Sequence, residues 1–234
     1  MEKIINDIRD CILLKGLNDD EITSFIQTYE CKIIEYSKDE CIISKDEPPQ
    51  YIGVVLKGTV GIYSDSIYGG HTLIDIGDSN YLFGFIAMFF NEHKSITTLY
   101  CRDNCKIAYF TVSEFLDPYQ FLENTNNKIL VNIFAVLTAH IRKDFNRMHI
   151  ISTYSVLAKF SRYLISRYNI TGETTFNLIY TKTELANYLG VYRTSLSHCI
   201  KKLGVEKIVS ISGTTVNILK LESLYDIESE SLDY

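Results

Sequence analysis

Residues 181–203 read TKTELANYLGVYRTSLSHCIKKL, and the order of residue types in this stretch predicts two short helices meeting at a tight turn. Thr181 and Glu184 stand in capping-box spacing, hydroxyl and carboxylate each able to accept from an amide left free at a helix start. Leu185, Ala186 and Leu189 give the first helix an apolar face, with small Ala186 where a second helix must come close, and Gly190 ends it. Beyond Gly190-Val191, Leu196, Ile200 and Leu203 recur at helical spacing, which turns Arg193, Thr194, Ser197, His198 and Lys201 outward. A helix bearing such groups fits the major groove of duplex DNA, where Arg can donate twice to guanine and Thr or Ser can reach base edges or phosphates. Lys201 and Lys202 suit the phosphate backbone, and Tyr192 and Lys182 complete the candidate DNA-contacting set. Residues 205–219 (VEKIVSISGTTVNIL) alternate apolar and polar types around Ser212-Gly213-Thr214, the pattern of a β-hairpin wing. A helical subdomain with a hairpin and no affinity for nucleic acid is the plainer alternative.

Upstream, Asn127 to Ile151 predicts one long helix with apolar residues at Leu130, Ile133, Phe134, Leu137, Ile141, Phe145 and Met148. The stripe suits packing on its own domain or on a second copy. A long helix between two domains has little of its own chain to cover it, so Leu130, Ile133, Phe134, Leu137, Ile141 and Met148 are taken as a dimer seam. From Cys31 to Phe110 the pattern changes to brief β-branched and aromatic runs: Ile33-Ile34, Cys41 to Ile43, Tyr51 to Leu56, Val60 to Tyr63, Thr72 to Ile76, Ser95 to Tyr100 and Lys106 to Phe110. Turns at Asp46-Glu47-Pro48-Pro49, Lys57-Gly58, Tyr68-Gly69-Gly70 and Gly77-Asp78 are close enough to indicate an antiparallel roll rather than βαβ units. Residues 1–30 predict two short helices separated by the break at 16–20, and Asp117-Pro118 breaks the chain ahead of the long helix.

Two domains joined by one element fit 234 residues, and 46% hydrophobic residues with 3 Pro and 12 Gly fit an ordered globular chain. The net charge of −6 argues against nucleic acid until it is divided: residues 1–127 hold 20 acidic and 10 basic side chains, whereas residues 151–221 hold 3 and 9. An acidic half joined to a basic half suits a regulator whose second domain alone meets phosphates, although solvated charge gives the same sums. The N-terminus lacks a basic start and long apolar core, and the apolar run from Tyr81 to Phe90 is too short to cross a bilayer. Six cysteines without a secretion signal are read as thiols, and the expected location is the cytoplasm, with no membrane partner.

A glycine-punctuated β-roll, a long helix and a winged helix-turn-helix, in that order, resemble the Crp/Fnr superfamily of bacterial transcription regulators over nearly the whole chain. In the first domain the resemblance rests on Lys38-Asp39-Glu40, YIGVVLKG at 51–58, Gly69-Gly70, Gly77-Asp78 and Leu82-Phe83-Gly84. In the second it rests more specifically on Glu184-Leu185-Ala186 and LGVYRTSLSH at 189–198. It implies an α+β fold with a β-roll of the cyclic-nucleotide-binding, jelly-roll type over 1–126, a connecting dimerisation helix over 127–151 and a winged helix-turn-helix over 152–234. It also implies double-stranded DNA, a second copy of the chain and RNA polymerase as partners. The family's base-reading arginine falls on Arg193, but the acidic residue that commonly follows is Thr194, the later arginine is His198, and the usual capping Ser is Tyr192. A carboxylate accepts from cytosine as threonine does not, so the expected operator differs from that of the best-known members.

Members that bind cyclic nucleotides carry a Gly-Glu pair and, about ten residues on, Arg-Ser or Arg-Thr. In LFGFIAMFFNEHKSITTL at 82–99, Gly84 stays, Phe85 stands where the ribose-binding Glu belongs, and the arginine position falls on Ser95 or Lys94. A phosphate anion buried without its guanidinium is costly, which argues against cyclic AMP. Gly84, Phe85, Ile86, Lys94 and Ser95 remain the candidate pocket for an unknown small-molecule effector, while Phe85, Met88, Phe89 and Phe90 are read as ordinary roll core in preference to an apolar pocket. No cofactor and no metal site is expected: the six cysteines show no packing of the four thiolates a cluster needs. Cys101 and Cys105 on one strand would sit about 13 Å apart, too far to share an ion. His71 and His93 stand alone in the first domain. The expected function is a non-enzymatic, dimeric transcription regulator reading a palindrome with residues 192–203. The alternatives are a cyclic-nucleotide-responsive version of the same fold and, remotely, a metal-dependent β-barrel enzyme.

Overall fold

The computed structural model describes residues 2–48, 51–65, 70–85, 94–111 and 127–230. Among them lie helices α1 (Glu2–Ile8) and α2 (Asp19–Tyr29), with a 3-10 turn at Ile12–Leu14 between them. Eight strands follow: β1 (Cys31–Tyr36), β2 (Cys41–Ile43), β3 (Tyr51–Lys57), β4 (Val60–Asp65), β5 (His71–Gly77), β6 (Leu82–Phe83), β7 (Thr98–Cys101) and β8 (Cys105–Thr111). The remaining elements are α3 (Asn127–Ser152), α4 (Val156–Thr171), β9 (Thr175–Asn177), α5 (Lys182–Leu189), α6 (Arg193–Val205), β10 (Val209–Ser212), β11 (Thr215–Ile218) and α7 (Leu221–Glu230). They fall into two compact units, Met1–Ala139 and His140–Tyr234, with the division inside α3. The architecture is α+β: roll, long helix, winged helix-turn-helix, as the sequence predicts.

The first unit holds two four-stranded antiparallel sheets, ordered β1-β8-β3-β6 and β2-β7-β4-β5. Alternation along β3 and β8 buries both faces of the first sheet. Ile52, Val54, Ala108 and Phe110 join Ile8, Leu14, Ile22 and Phe25 in a helix-side core, while Val55, Ile107 and Tyr109 meet Val60, Ile62 and Leu99 of the second sheet. Gly53 lies opposite Phe83, whose ring stands 2.0 Å from where a Cβ would be, so the small residue admits the ring. The seventh strand begins at Thr98 instead of Ser95. Ser95 is tied by its backbone to residues 46–47 (Ser95 N to Glu47 O 3.0 Å, Asp46 N to Ser95 O 2.9 Å), short of a regular ladder.

Helix α3 corrects the seam assignment. Ile133 is 4% exposed and, with Ile129 and Val136, belongs to the helix-side core; Leu130 and Leu137 pack against it. Of the predicted seam residues, Ile133 is thus buried in the helix's own roll, and Leu130 and Leu137 are partly buried against the same core. Phe134, Ile141 and Met148 do stand exposed, at 63, 55 and 63%, and Val131 and Phe145 join them. With Thr138 these positions, 131, 134, 138, 141, 145 and 148, alternate by three and four, the repeat of a coiled-coil seam.

The second unit adds elements the sequence reading passed over. Helix α4 starts at Ser155, whose Oγ accepts from Ala158 N at 3.0 Å, and stops at Gly172 in the left-handed region. Strand β9 joins the hairpin as its third strand, in the order β10-β11-β9. Residues 221–230 form α7, anchored by fully buried Leu224.

Candidate nucleic-acid interface

The two helices of the 181–203 stretch form with the expected turn. Both halves of the capping box are made: Glu184 N donates to Thr181 Oγ1 at 3.3 Å, and Thr181 N donates to Glu184 Oε2 at 2.7 Å. Gly190 takes φ +63°, which a residue with a Cβ adopts only at a cost, and Val191 N closes the turn on Ala186 O at 2.9 Å. Leu185, Ala186 and Leu189 are buried, so the first helix offers α6 an apolar support.

On α6 the inward face is Leu196, Cys199 and Leu203, with Ile200 half-buried. Cys199 thus does packing work assigned to Ile200. Burial holds its thiol protonated, with a pKa pushed up to about 12, slightly offset by Lys202. Every residue of the candidate set is exposed: Arg193, Thr194, Ser197, His198, Lys201 and Lys202 along α6, Tyr192 ahead of it, and Lys182 at the start of α5. Tyr192 occupies the N-cap without a capping bond and is 84% exposed. Its ring is available to lie along a sugar-phosphate chain, and the free amides at the helix start favour an anion. No acidic residue stands in the first turn of α6, so nothing there opposes a phosphate. Ser197 Oγ donates to Arg193 O at 2.9 Å and keeps its lone pairs for an incoming donor. Lys202 lies 3.9 Å from Glu206 in an exposed i, i+4 pair, which is worth little and is readily exchanged for phosphate.

The wing closes through a two-residue loop, with Ser212 opposite Thr215 and Gly213 at φ +60°. Strand β9 pairs Phe176 with Val216, and side chains ladder across its edges: Thr175 Oγ1 to Asn217 Oδ1 at 2.8 Å and Thr215 Oγ1 to Asn177 Oδ1 at 2.9 Å.

The candidate effector residues occupy different surroundings. Gly84 sits at φ +81° with Tyr51 O 2.4 Å from where a Cβ would be, so the backbone alone demands glycine. Phe85 is buried in the helix-side core, beside an apolar cavity of about 10 Å³ lined by Leu13, Phe25, Ile52 and Ile133 among others. That is room for at most about one water, with no polar group to hold it, and too little for a ligand. Ser95 Oγ donates to Thr97 O at 2.7 Å, Lys94 is exposed, and Ile86 lies outside the described residues, as do Met88, Phe89, Phe90 and His93.

The separation inferred for Cys101 and Cys105 is wrong. They close β7 and open β8, strands of different sheets joined by a tight corner, and both are buried in the same core cluster of the roll, where Cys105 Sγ donates to Thr59 O at 3.2 Å. Burial raises the pKa of both, that of Cys101 to about 12. His71 has a partner: its Nδ1 lies 2.6 Å from Asp65 Oδ1, and Asp65 is held below the usual carboxylate range by its hydrogen bonds from Thr98 and then His71. Among the described residues no three His, Cys, Asp or Glu side chains converge as metal ligands, and no helix is long and apolar enough to cross a membrane.

Comparison with known proteins agrees with this geometry. Family models for the cyclic nucleotide-binding domain and the Crp-like helix-turn-helix domain match residues 33–120 and 158–227. The chain is 24% identical over 221 residues to the fumarate and nitrate reduction regulatory protein of Vibrio cholerae, covering 92% of this chain and 85% of that one. It is 32% identical over 72 residues to the probable transcriptional regulator flp of Lacticaseibacillus casei, a match spanning 31% of this chain and only 33% of the relative. The solved structure of a CooA mutant from Carboxydothermus hydrogenoformans superposes with a TM-score of 0.72 at 14% identity, covering 93% of this chain and 94% of that one. A cyclic-nucleotide-binding-type roll followed by a winged helix-turn-helix defines a class of transcription regulators. Within that class, the chain belongs to the Crp/Fnr superfamily.

Proposed function

We propose that this chain is a DNA-binding transcription regulator that reads a palindromic operator as a homodimer, with residues 192–203 in the major groove and without cyclic AMP as its signal. One observation carries the reading. Arg193, Thr194, Ser197, His198 and Lys201 share the exposed side of a helix whose other side, Leu196, Cys199 and Leu203, is buried. Arg193 is the group suited to guanine, Thr194 and Ser197 to base edges or phosphate, and His198 to an acceptor on a base edge; Lys182, Lys201, Lys202 and Tyr192 suit the backbone. Dimerisation is supported by the exposed repeat of Val131, Phe134, Ile141, Phe145 and Met148, a row of apolar side chains that water disfavours.

The match of residues 33–120 to the cyclic nucleotide-binding domain favours a second reading, control by such a nucleotide. Against it stand Phe85, buried where a ribose-binding carboxylate would be, and Ser95, whose hydroxyl is already used. Calorimetry with cyclic AMP and cyclic GMP separates the two. The proposed reading expects no saturable heat, and micromolar binding of either nucleotide sinks its effector part while leaving the DNA part standing.

A further inference from the structure

The last turns of α3 and the reading helix lie in one compact unit, His140–Tyr234, and two arginines tie the end of α3 to helices α4, α7 and α5, of which α4 and α5 pack on the reading helix. Arg162 on α4 is the centre of one fastening. Its Nε donates to Glu228 Oε1 on α7 at 2.7 Å, while one terminal nitrogen donates to His149 O at 2.9 Å and to Thr153 Oγ1 at 3.3 Å. His149 lies in the last turn of α3, and Thr153 opens the three-residue link to α4. The same carbonyl accepts from Ser152 Oγ at 2.9 Å and Thr153 Oγ1 at 3.0 Å. The carbonyls of a helix's last turn have no partner within the helix, and water ordinarily takes them. Here a guanidinium from the next helix takes one, in an ion pair whose side chains are only 20 and 22% exposed. Arg147 makes the second fastening: its Nε donates to Tyr188 O near the end of α5 at 3.3 Å, and its guanidinium sits 5.0 Å from the Tyr188 ring centre. The end of α3 is thus tied to α4 and α5, the two helices on which the reading helix packs, with only a three-residue link between α3 and α4.

We propose that Arg162, held by Glu228 and assisted by Arg147, is a positioning residue that sets which spacing of operator half-sites the protein accepts. This rests on the dimeric reading above. The seam residues Ile141, Phe145 and Met148 belong to the same compact unit as the fastenings, so an angle fixed at the end of α3 becomes a fixed separation between two reading helices. One base pair added between half-sites moves them about 3.4 Å apart and turns them by about 34°, which a rigid connection resists and a loose one absorbs. Arg162 acts through His149 and Thr153 rather than through DNA, so its loss changes spacing and leaves base preference alone.

The test uses full-length protein and duplexes carrying the selected half-site at its selected spacing, and at one and two base pairs more or less. Wild type is expected to lose on the order of tenfold in affinity per base pair of displacement, comparable to a mismatch. Glu228→Gln and Arg162→Lys should lose most of that discrimination while keeping wild-type preference among half-site sequences. Val209→Ala, a packing loss elsewhere in the unit, should weaken all duplexes alike. If Arg162→Lys fails to fold, Glu228→Gln, which leaves the guanidinium in place, decides alone. Wild-type spacing preference in the folded variants overturns the inference, as does a wild type that accepts all spacings equally while still selecting a half-site. A wild type that selects no duplex fails at the DNA-binding reading and takes the inference with it.

Discussion

Arg193 and Lys202 share one exposed helix yet offer DNA different chemistry. The planar fork of Arg193 matches the two acceptors of guanine, so Arg193→Ala should cost about 1–3 kcal/mol and flatten selectivity at one base position. Lys202 is a point charge near Glu206, so Lys202→Ala should weaken binding to all sequences and lower the slope of affinity against salt by about one counterion. Binding titrations of both variants against matched and mismatched duplexes, at several salt concentrations, check the pair. Unchanged selectivity in Arg193→Ala contradicts the assignment of the reading helix. The outward set was legible in the sequence because local helical spacing alone decides which side chains turn away from Leu196 and Leu203. Cys199 was missed as a core residue because a thiol carries no strong apolar signal, although burial is its usual lot. Cys101 and Cys105 were misplaced because a spacing of four was read along one strand, whereas the chain turns a corner between them. His71 with Asp65 and Thr98 was invisible, since the strands that bring Thr98 there are far apart in sequence.

Among the elements, α5 depends on its cap. Thr181→Ala removes the acceptor for Glu184 N and should cost about 1 kcal/mol of the second unit's stability. Thr181→Ser should restore most of it, and chemical denaturation followed by circular dichroism measures both. A Thr181→Ala protein as stable as wild type contradicts the role given to the capping box. The strands and the long helix were readable because period-two and helical patterns are strong there, and glycines mark the turns. Helix α4 carried its own boundary signals in Ser155 and Gly172, yet it is buried around much of its circumference, so it shows no clean amphipathic stripe. Strand β9, three residues long, is too brief for any period to register and exists through its pairing with β11. On α3, Leu130, Ile133 and Leu137 were taken for seam for a related reason: two apolar stripes share one helix, and sequence alone does not say which one the roll covers.

At the scale of the molecule, the proposed dimer accounts for the exposed stripe of α3, and the proposed DNA contact for the excess of basic residues over 151–221. The stripes make separate predictions. Phe134→Asp places a charge on the exposed seam and should give a folded monomer in analytical ultracentrifugation, with the second half-site contributing nothing to affinity. Ile133→Asp buries its charge in the roll's own core and should unfold the first unit. A Phe134→Asp protein that stays dimeric contradicts the seam. The most direct test of the central claim, that the side of α6 bearing Arg193 and His198 meets base pairs in a two-fold symmetric pair, is selection of bound duplexes from a random pool with purified protein. The expected result is a palindrome whose half-sites lie about 34 Å apart centre to centre, with guanine at the position that Arg193→Ala relaxes. Enrichment of no sequence, or of an unrepeated asymmetric site whose selection survives Arg193→Ala, would contradict it.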